Sequence, residues 1–97
     1  TDVAHRPARK AGAVVVLHDG RPAIYVEKGG RSMLVWDLGD EVLASAARAL
    51  VRDWARVGGG RSIVVRVNGA APTPAMTTTL TTAGLLATPR GLRLGSR

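Results

Sequence analysis

One helical period fixes most of what this chain can fold into. Val42, Leu43, Ala46, Ala47, Leu50, Val51 and Trp54 fall at i, i+1, i+4, i+5, i+8, i+9 and i+12. That is the apolar stripe of an amphipathic helix with one buried face. Asp40 stands where a cap belongs, and Glu41 lies in the first turn, where a carboxylate meets the positive end of the helix dipole. Gly58-Gly59-Gly60 ends the period.

Before this helix the pattern is one of short β-branched runs. Val14-Val15-Val16-Leu17, Ala23-Ile24-Tyr25-Val26-Glu27 and Ser32-Met33-Leu34-Val35-Trp36 are separated by His18-Asp19-Gly20-Arg21 and Lys28-Gly29-Gly30-Arg31. Asp-Gly between apolar runs is a hairpin signal, so these three strands form an antiparallel meander. After the helix, Ile63 to Val67 gives a fourth strand closed by Asn68-Gly69. Ala75 to Ala83 gives a second helix, with Thr73 as its cap and Pro74 at the first helical position. Its threonines lower intrinsic helix propensity. Gly84 suits the helix stop, Pro89 breaks the chain, and Gly91 to Leu94 forms a last strand.

The predicted order is β-β-β-α-β-α-β, an α+β fold with a curved antiparallel sheet or partly open β-barrel and two helices. Ninety-seven residues support one domain. Residues 1–10, polar and basic around Pro7, read as a linker or arm from a preceding domain, and residues 11–97 as a single C-terminal α+β domain. With no Phe, one Tyr and two Trp, the core must be aliphatic. Trp54 belongs to it because it lies on the helix stripe, and Trp36 because it closes an apolar run.

The absence of Cys removes disulfides and thiolate metal sites and fits a cytoplasmic protein. His5 and His18 are too few for a metal site. No apolar run approaches the roughly 20 residues that span a bilayer. The formal net charge is +7, from fourteen basic residues against seven acidic ones, and all but Lys10 and Lys28 of the basic residues are arginines. The guanidinium fork matches phosphate oxygens, so the balance points to DNA as partner. The candidate contact residues are Lys28, Arg31, Arg48, Arg52, Arg56, Arg90 and Arg93. Arg48, Arg52 and Arg56 share a helix face, where Asp53 is spaced to pair with Arg56.

Gly-Gly-Arg-Ser occurs twice, at residues 29–32 and 59–62. A nucleotide-binding phosphate loop leads into a helix, whereas both copies lead into strands, and no Gly-Lys-Ser/Thr is present. They read as turns whose basic residues face a DNA backbone. Asp37, Asp40 and Glu41 cluster in sequence, but capping and dipole compensation account for Asp40 and Glu41. No nucleophile–base or paired-carboxylate arrangement is visible. The sequence therefore assigns no catalytic residue, no metal ligand and no cofactor to this chain.

Four stretches, taken in order, resemble the C-terminal domain of the large helicase-related (Lhr) proteins, superfamily 2 DNA helicases of the DEAD/DEAH-like kind. They are residues 9–17 (Arg-Lys-Ala-Gly-Ala-Val-Val-Val-Leu), 25–32 (Tyr-Val-Glu-Lys-Gly-Gly-Arg-Ser), 46–50 (Ala-Ala-Arg-Ala-Leu) and 87–94 (Ala-Thr-Pro-Arg-Gly-Leu-Arg-Leu). The threonine-rich stretch 75–82 departs from the Leu- and Ala-rich helix of that pattern. The resemblance implies a parent protein that is a bacterial ATP-dependent 3′-to-5′ DNA helicase of DNA repair. ATP and Mg would be bound by domains N-terminal to this piece. It implies neighbouring winged-helix modules in the same chain, a parent that assembles into homo-oligomers and, in some members, uracil removal from DNA. No catalytic motif of the family maps onto these residues. The implied role is an accessory module that contacts DNA or docks on winged-helix modules. The alternative is a structural module for oligomerisation or interdomain packing that never touches DNA.

Overall fold

A computed structural model describes residues 6–10, 12–57 and 60–95 of the chain. The elements are strands β1 (Arg6–Lys10), β2 (Ala13–His18), β3 (Arg21–Val26) and β4 (Ser32–Val35), helix α1 (Asp40–Asp53), strands β5 (Ser62–Val64) and β6 (Arg66–Val67), helix α2 (Pro74–Ala83), and strands β7 (Leu86–Thr88) and β8 (Gly91–Leu94). The class is α+β with two helices, as the sequence predicts, and the strands number more than expected. They form no closed barrel. A five-stranded sheet runs β1-β2-β3-β4-β6, and a three-stranded sheet runs β5-β8-β7.

The meander is β2-β3-β4, antiparallel throughout. Its first turn carries Asp19 and Gly20 at φ 53° and 79°, the left-handed pair that an Asp-Gly hairpin turn uses. β1 adds a further antiparallel strand, with Ala8 opposite Val15. Half of the segment read as a linker or arm is thus paired into the sheet, while residues 1–5 of it lie outside the described residues. Its basic, Pro-containing composition hid the strand. Proline and charge are tolerated on an edge, where one side of the ladder needs no partner.

The segment read as one strand, 63–67, is two. Val64 pairs with Leu92 of the small sheet. Two residues later Arg66 and Val67 run parallel to Ser32 and Met33 of β4. Between them the N–H of Val65 leaves both ladders and donates to the Arg31 carbonyl at 2.9 Å. The crossover locks the two sheets together. The Asn68 side chain extends it: its Oδ1 accepts from the Val35 N–H at 2.8 Å and its Nδ2 donates to the Val35 carbonyl at 3.2 Å, as a neighbouring strand would.

The helix signals hold with one exception. Thr73 caps α2, its hydroxyl accepting from the Met76 N–H at 3.1 Å. At the other end Leu85 N–H donates to the Leu80 carbonyl and Gly84 N–H to the Thr81 carbonyl, both at 3.1 Å. That pairing is the Schellman arrangement Gly84 was expected to permit. Thr78, Thr79 and Thr81 turn their hydroxyls onto carbonyls four residues back, which satisfies them within the helix. The exception is Asp40. Gly39 takes the cap position of α1 at φ 100° without a side-chain hydrogen bond, and Asp40 is the first helical residue. Its carboxylate still favours the helix through the dipole.

One core joins both sheets and both helices. Val16, Ile24 and Met33 from the large sheet, Ala46, Ala47 and Leu50 from α1, Leu80 from α2 and Val64 from the small sheet are all fully buried. Burying such aliphatic side chains stabilises the fold by roughly 1.5–3 kcal/mol each. Trp54 is buried as expected. Trp36 is not in the core: β4 ends at Val35, the next residue falls on the outward side, and its side chain is 40% exposed.

Candidate nucleic-acid interface

The two Gly-Gly-Arg-Ser copies, thirty positions apart in sequence, meet in space. Gly30 stands at φ +74°, and the Ser62 side chain occupies the place a Cβ on Gly30 would need, with Ser62 Cβ at 2.6 Å and Ser62 Oγ closer still. Only glycine permits both the left-handed backbone and this approach. Around the contact lies a cleft of about 220 Å³ lined by Gly12, Gly29, Gly30, Gly60, Trp54, Arg61 and Ser62, with Val14, Val26 and Glu27. It is assembled from the start of β2, the β3–β4 turn, the end of α1 and the start of β5.

Trp54 sets the geometry of this cleft. Its Nε1 donates to the Gly60 carbonyl at 2.6 Å and fixes the chain just before Arg61. Gly95 permits the crowding behind it, since a Cβ there would come within 2.8 Å of the Gly60 carbonyl oxygen. The Lys28 stem lies over Gly12, with Cγ, Cδ and Cε 3.1–3.5 Å from where a Cβ would project. Lys28, Arg31 and Arg61 are exposed.

The sequence-derived candidates separate into groups. Arg61 lines this cleft, Lys28 adjoins it with its stem over the lining Gly12, and Arg31 follows the lining Gly30. Arg48 and Arg52 lie one turn apart on the exposed side of α1, opposite its buried stripe. Arg56 lies past the end of α1 and turns back onto Asp53. The Asp53 Oδ2 accepts from Arg56 at 3.0 Å and from Arg52 at 2.9 Å. The hydrogen bond from Arg52, then that from Arg56, holds the Asp53 carboxyl well below the usual carboxylate range. Asp53 in turn raises the Arg52 guanidinium. These two arginines therefore share a counter-charge, which weakens them as a basic stripe. Arg90 is exposed in the β7–β8 turn. Ser62 pairs with Leu94 and Val64 with Leu92, so that turn lies at the end of the small sheet away from the cleft. Arg93 is half-buried between Ile63 and Leu86 in the same sheet, and its Nε is buried with no hydrogen-bond partner. The seven candidates do not form one surface.

Sequence reasoning missed Arg61. The signal was available in the duplicated tetrapeptide, but sequence alone does not reveal that the copies touch. The carboxylates lie elsewhere for the most part. Asp37, Asp40 and Glu41 sit at the start of α1, and Trp54 follows its last residue. Fourteen helical residues span about 21 Å, well beyond the ~8–10 Å over which salt screens surface charge. Among the described residues no three His, Asp or Glu side chains gather as metal ligands would. No described helix is long and apolar enough to cross a membrane.

A second feature lies on the opposite face of the large sheet. Val14, Val26 and Met33 pair in register and are buried, as are Val16 and Ile24 in the next inward row. The alternate row, Val15–Tyr25–Leu34, faces outward and is also apolar. Trp36 extends it at one end, where its N–H donates to the Ala23 carbonyl at 3.0 Å, and Leu17 follows a register shift after Val16. Leu17, Leu34 and Trp36 are 37%, 39% and 40% exposed.

Comparison with known proteins places the chain. It is 43% identical over 100 residues to the Lhr helicase/probable uracil glycosylase of Mycolicibacterium smegmatis, a match covering 94% of the chain. It is 38% identical over 92 residues to the Lhr helicase/uracil glycosylase of Escherichia coli, covering 92% of the chain. Over nearly its whole length the chain is thus related to one segment of these Lhr helicase proteins. It spans only about 7% and 6% of the length of these two relatives. No family model matches it.

Proposed function

We propose that the chain is an accessory module of a DNA helicase of the Lhr type, docked on neighbouring modules of the same protein through the outer face of its larger sheet. The observation that carries this reading is the row Val15–Tyr25–Leu34 with Trp36. A sheet packed on one face by a core ordinarily turns polar residues outward. Here both faces are apolar, and an exposed apolar face of this kind marks an interaction surface. The relatives are about fourteen times longer than this chain or more, so a parent of that size supplies ample chain to cover it. In such a parent the ATP and Mg that drive strand separation would be held by other segments, and winged-helix modules are the proposed neighbours. The relatives carry uracil glycosylase in their names, but no residue here is assigned to that activity.

DNA contact is the second half of the reading. It is supported by the excess of fourteen basic residues over seven acidic ones and by Arg61 in the lining of one cleft, with Lys28 and Arg31 next to lining residues. The competing reading is a packing or self-association module that never meets DNA.

Hydroxyl-radical footprinting with mass spectrometry tests the docking half. Leu34 and Trp36 are labelled in this chain alone and in the parent protein. Docking predicts strong protection in the parent at low concentration, where self-association is absent. Equal labelling refutes it, and protection that appears only as the concentration of the isolated chain rises favours self-association.

A further inference from the structure

We infer that the cleft between the two Gly-Gly-Arg-Ser turns holds one phosphodiester group of a DNA backbone. This rests on the DNA-contact half of the proposed function and names its site. Gly12, Gly29 and Gly60 line the cleft without side chains, so a phosphate oxygen meets backbone rather than a wall of Cβ atoms. Arg61 lines it directly, and Arg31 follows the lining residue Gly30. Lys28 is anchored beside it by its stem over Gly12. Within the lining Glu27 offsets Arg61, so the positive excess comes from Lys28 and Arg31 beside the cleft, while Asp53 next to Trp54 is already paired with Arg52 and Arg56. None of the three cations joins an ion pair among the described residues, in contrast to Arg52 and Arg56.

The site is also held in place before any ligand arrives. The Trp54–Gly60 hydrogen bond and the packing of Ser62 against Gly30 fix the two turns relative to each other. The backbones that carry Arg31 and Arg61 are therefore held relative to each other, and a guanidinium fork suits two phosphate oxygens. Trp54 is 6% exposed and is not free to stack on a base, so the contact reads backbone and not sequence.

The test is an anisotropy titration of this chain with a labelled single-stranded oligothymidylate, and separately with a duplex, across a range of salt. Each phosphate neutralised on a single strand contributes about 0.7 to the slope of log K against log salt. Arg31→Ala with Arg61→Ala should lower that slope by about 0.7, because both forks engage the one phosphate, while Arg48→Ala with Arg90→Ala leaves it unchanged. Arg31→Lys with Arg61→Lys should keep the slope but weaken binding, because the charge remains and the fork is lost. Circular dichroism confirms that each variant is folded. An equal fall in both alanine pairs overturns the cleft as the site while leaving DNA contact intact. No binding by the unaltered chain overturns both. The duplex arm identifies which form of the backbone is held.

Discussion

Replacing Gly30 with Ala tests the contact on which the cleft depends. Two costs arise, and they separate experimentally. The first is backbone: a Cβ at φ +74° costs about 1–2 kcal/mol for an L-residue. The second is steric: the new Cβ would lie 2.6 Å from Ser62 Cβ and nearer still to Ser62 Oγ. Overpacking of this kind costs typically about 1–3 kcal/mol. Gly30→Ala alone is therefore expected to lose roughly 2–5 kcal/mol. Ser62→Gly removes both clashing atoms and leaves Ser62 Cα at 4.0 Å, an ordinary contact. In that background Gly30→Ala should cost only the backbone part, about 1–2 kcal/mol. Urea unfolding of the four proteins, followed by circular dichroism, gives the coupling between the sites. A coupling of about 1–3 kcal/mol is expected. Additivity within about 0.5 kcal/mol would refute the claim that the two turns touch.

Three further outcomes follow from the packing and the charges. Leu50→Ala should cost about 2–5 kcal/mol in urea unfolding because Leu50 is fully buried in the cluster joining sheet and helices, whereas Trp36→Ser should stay within about 0.5 kcal/mol because Trp36 is outside the core. Thr73→Ala removes the cap of α2 and should cost about 0.5–2 kcal/mol, while Asp40→Ala, with no cap bond to lose, should change stability by about 0.3–1 kcal/mol at most. The Asp53 carboxyl is held low in the folded state, so its contribution is present above the ordinary carboxylate pKa of about 4 and disappears as pH falls through the lowered value. The stability gap between the unaltered chain and Asp53→Asn should then be largest near neutrality and shrink toward about pH 2; a gap independent of pH would contradict the pairing.

Most of the local structure was legible in residue pattern. The stripe Val42 to Trp54 gave α1, Thr73-Pro74 gave the start of α2, Gly84 its stop, and Asp19-Gly20 the first hairpin turn. Each is a signal within a few residues. The misreadings share a different character, because each depends on what lies across space. β1 needed the edge of β2 to become a strand, and nothing in its own composition requires one. Ile63 to Val67 reads as a single strand, and only the competition of β8 and β4 for its two halves divides it. β7 was missed because Leu86 to Thr88 lies between a helix stop and Pro89 and pairs only once β8 has turned back. The cleft was hidden for the same reason. Arginine counts located the charge, whereas the meeting of residues 30 and 62, and with it the importance of Arg61, is a tertiary fact.

The central claim is that the chain has two working surfaces, an apolar sheet face turned toward its neighbours and a basic cleft turned toward DNA. Footprinting of the parent protein with and without DNA tests both at once. The account predicts that Leu34 and Trp36 are protected in both states, and that residues 27–31 and 60–62 gain protection only when DNA is present. Free labelling of Leu34 and Trp36 in the parent, or DNA-dependent protection centred on Arg48 and Arg90 with the two turns unchanged, would contradict it.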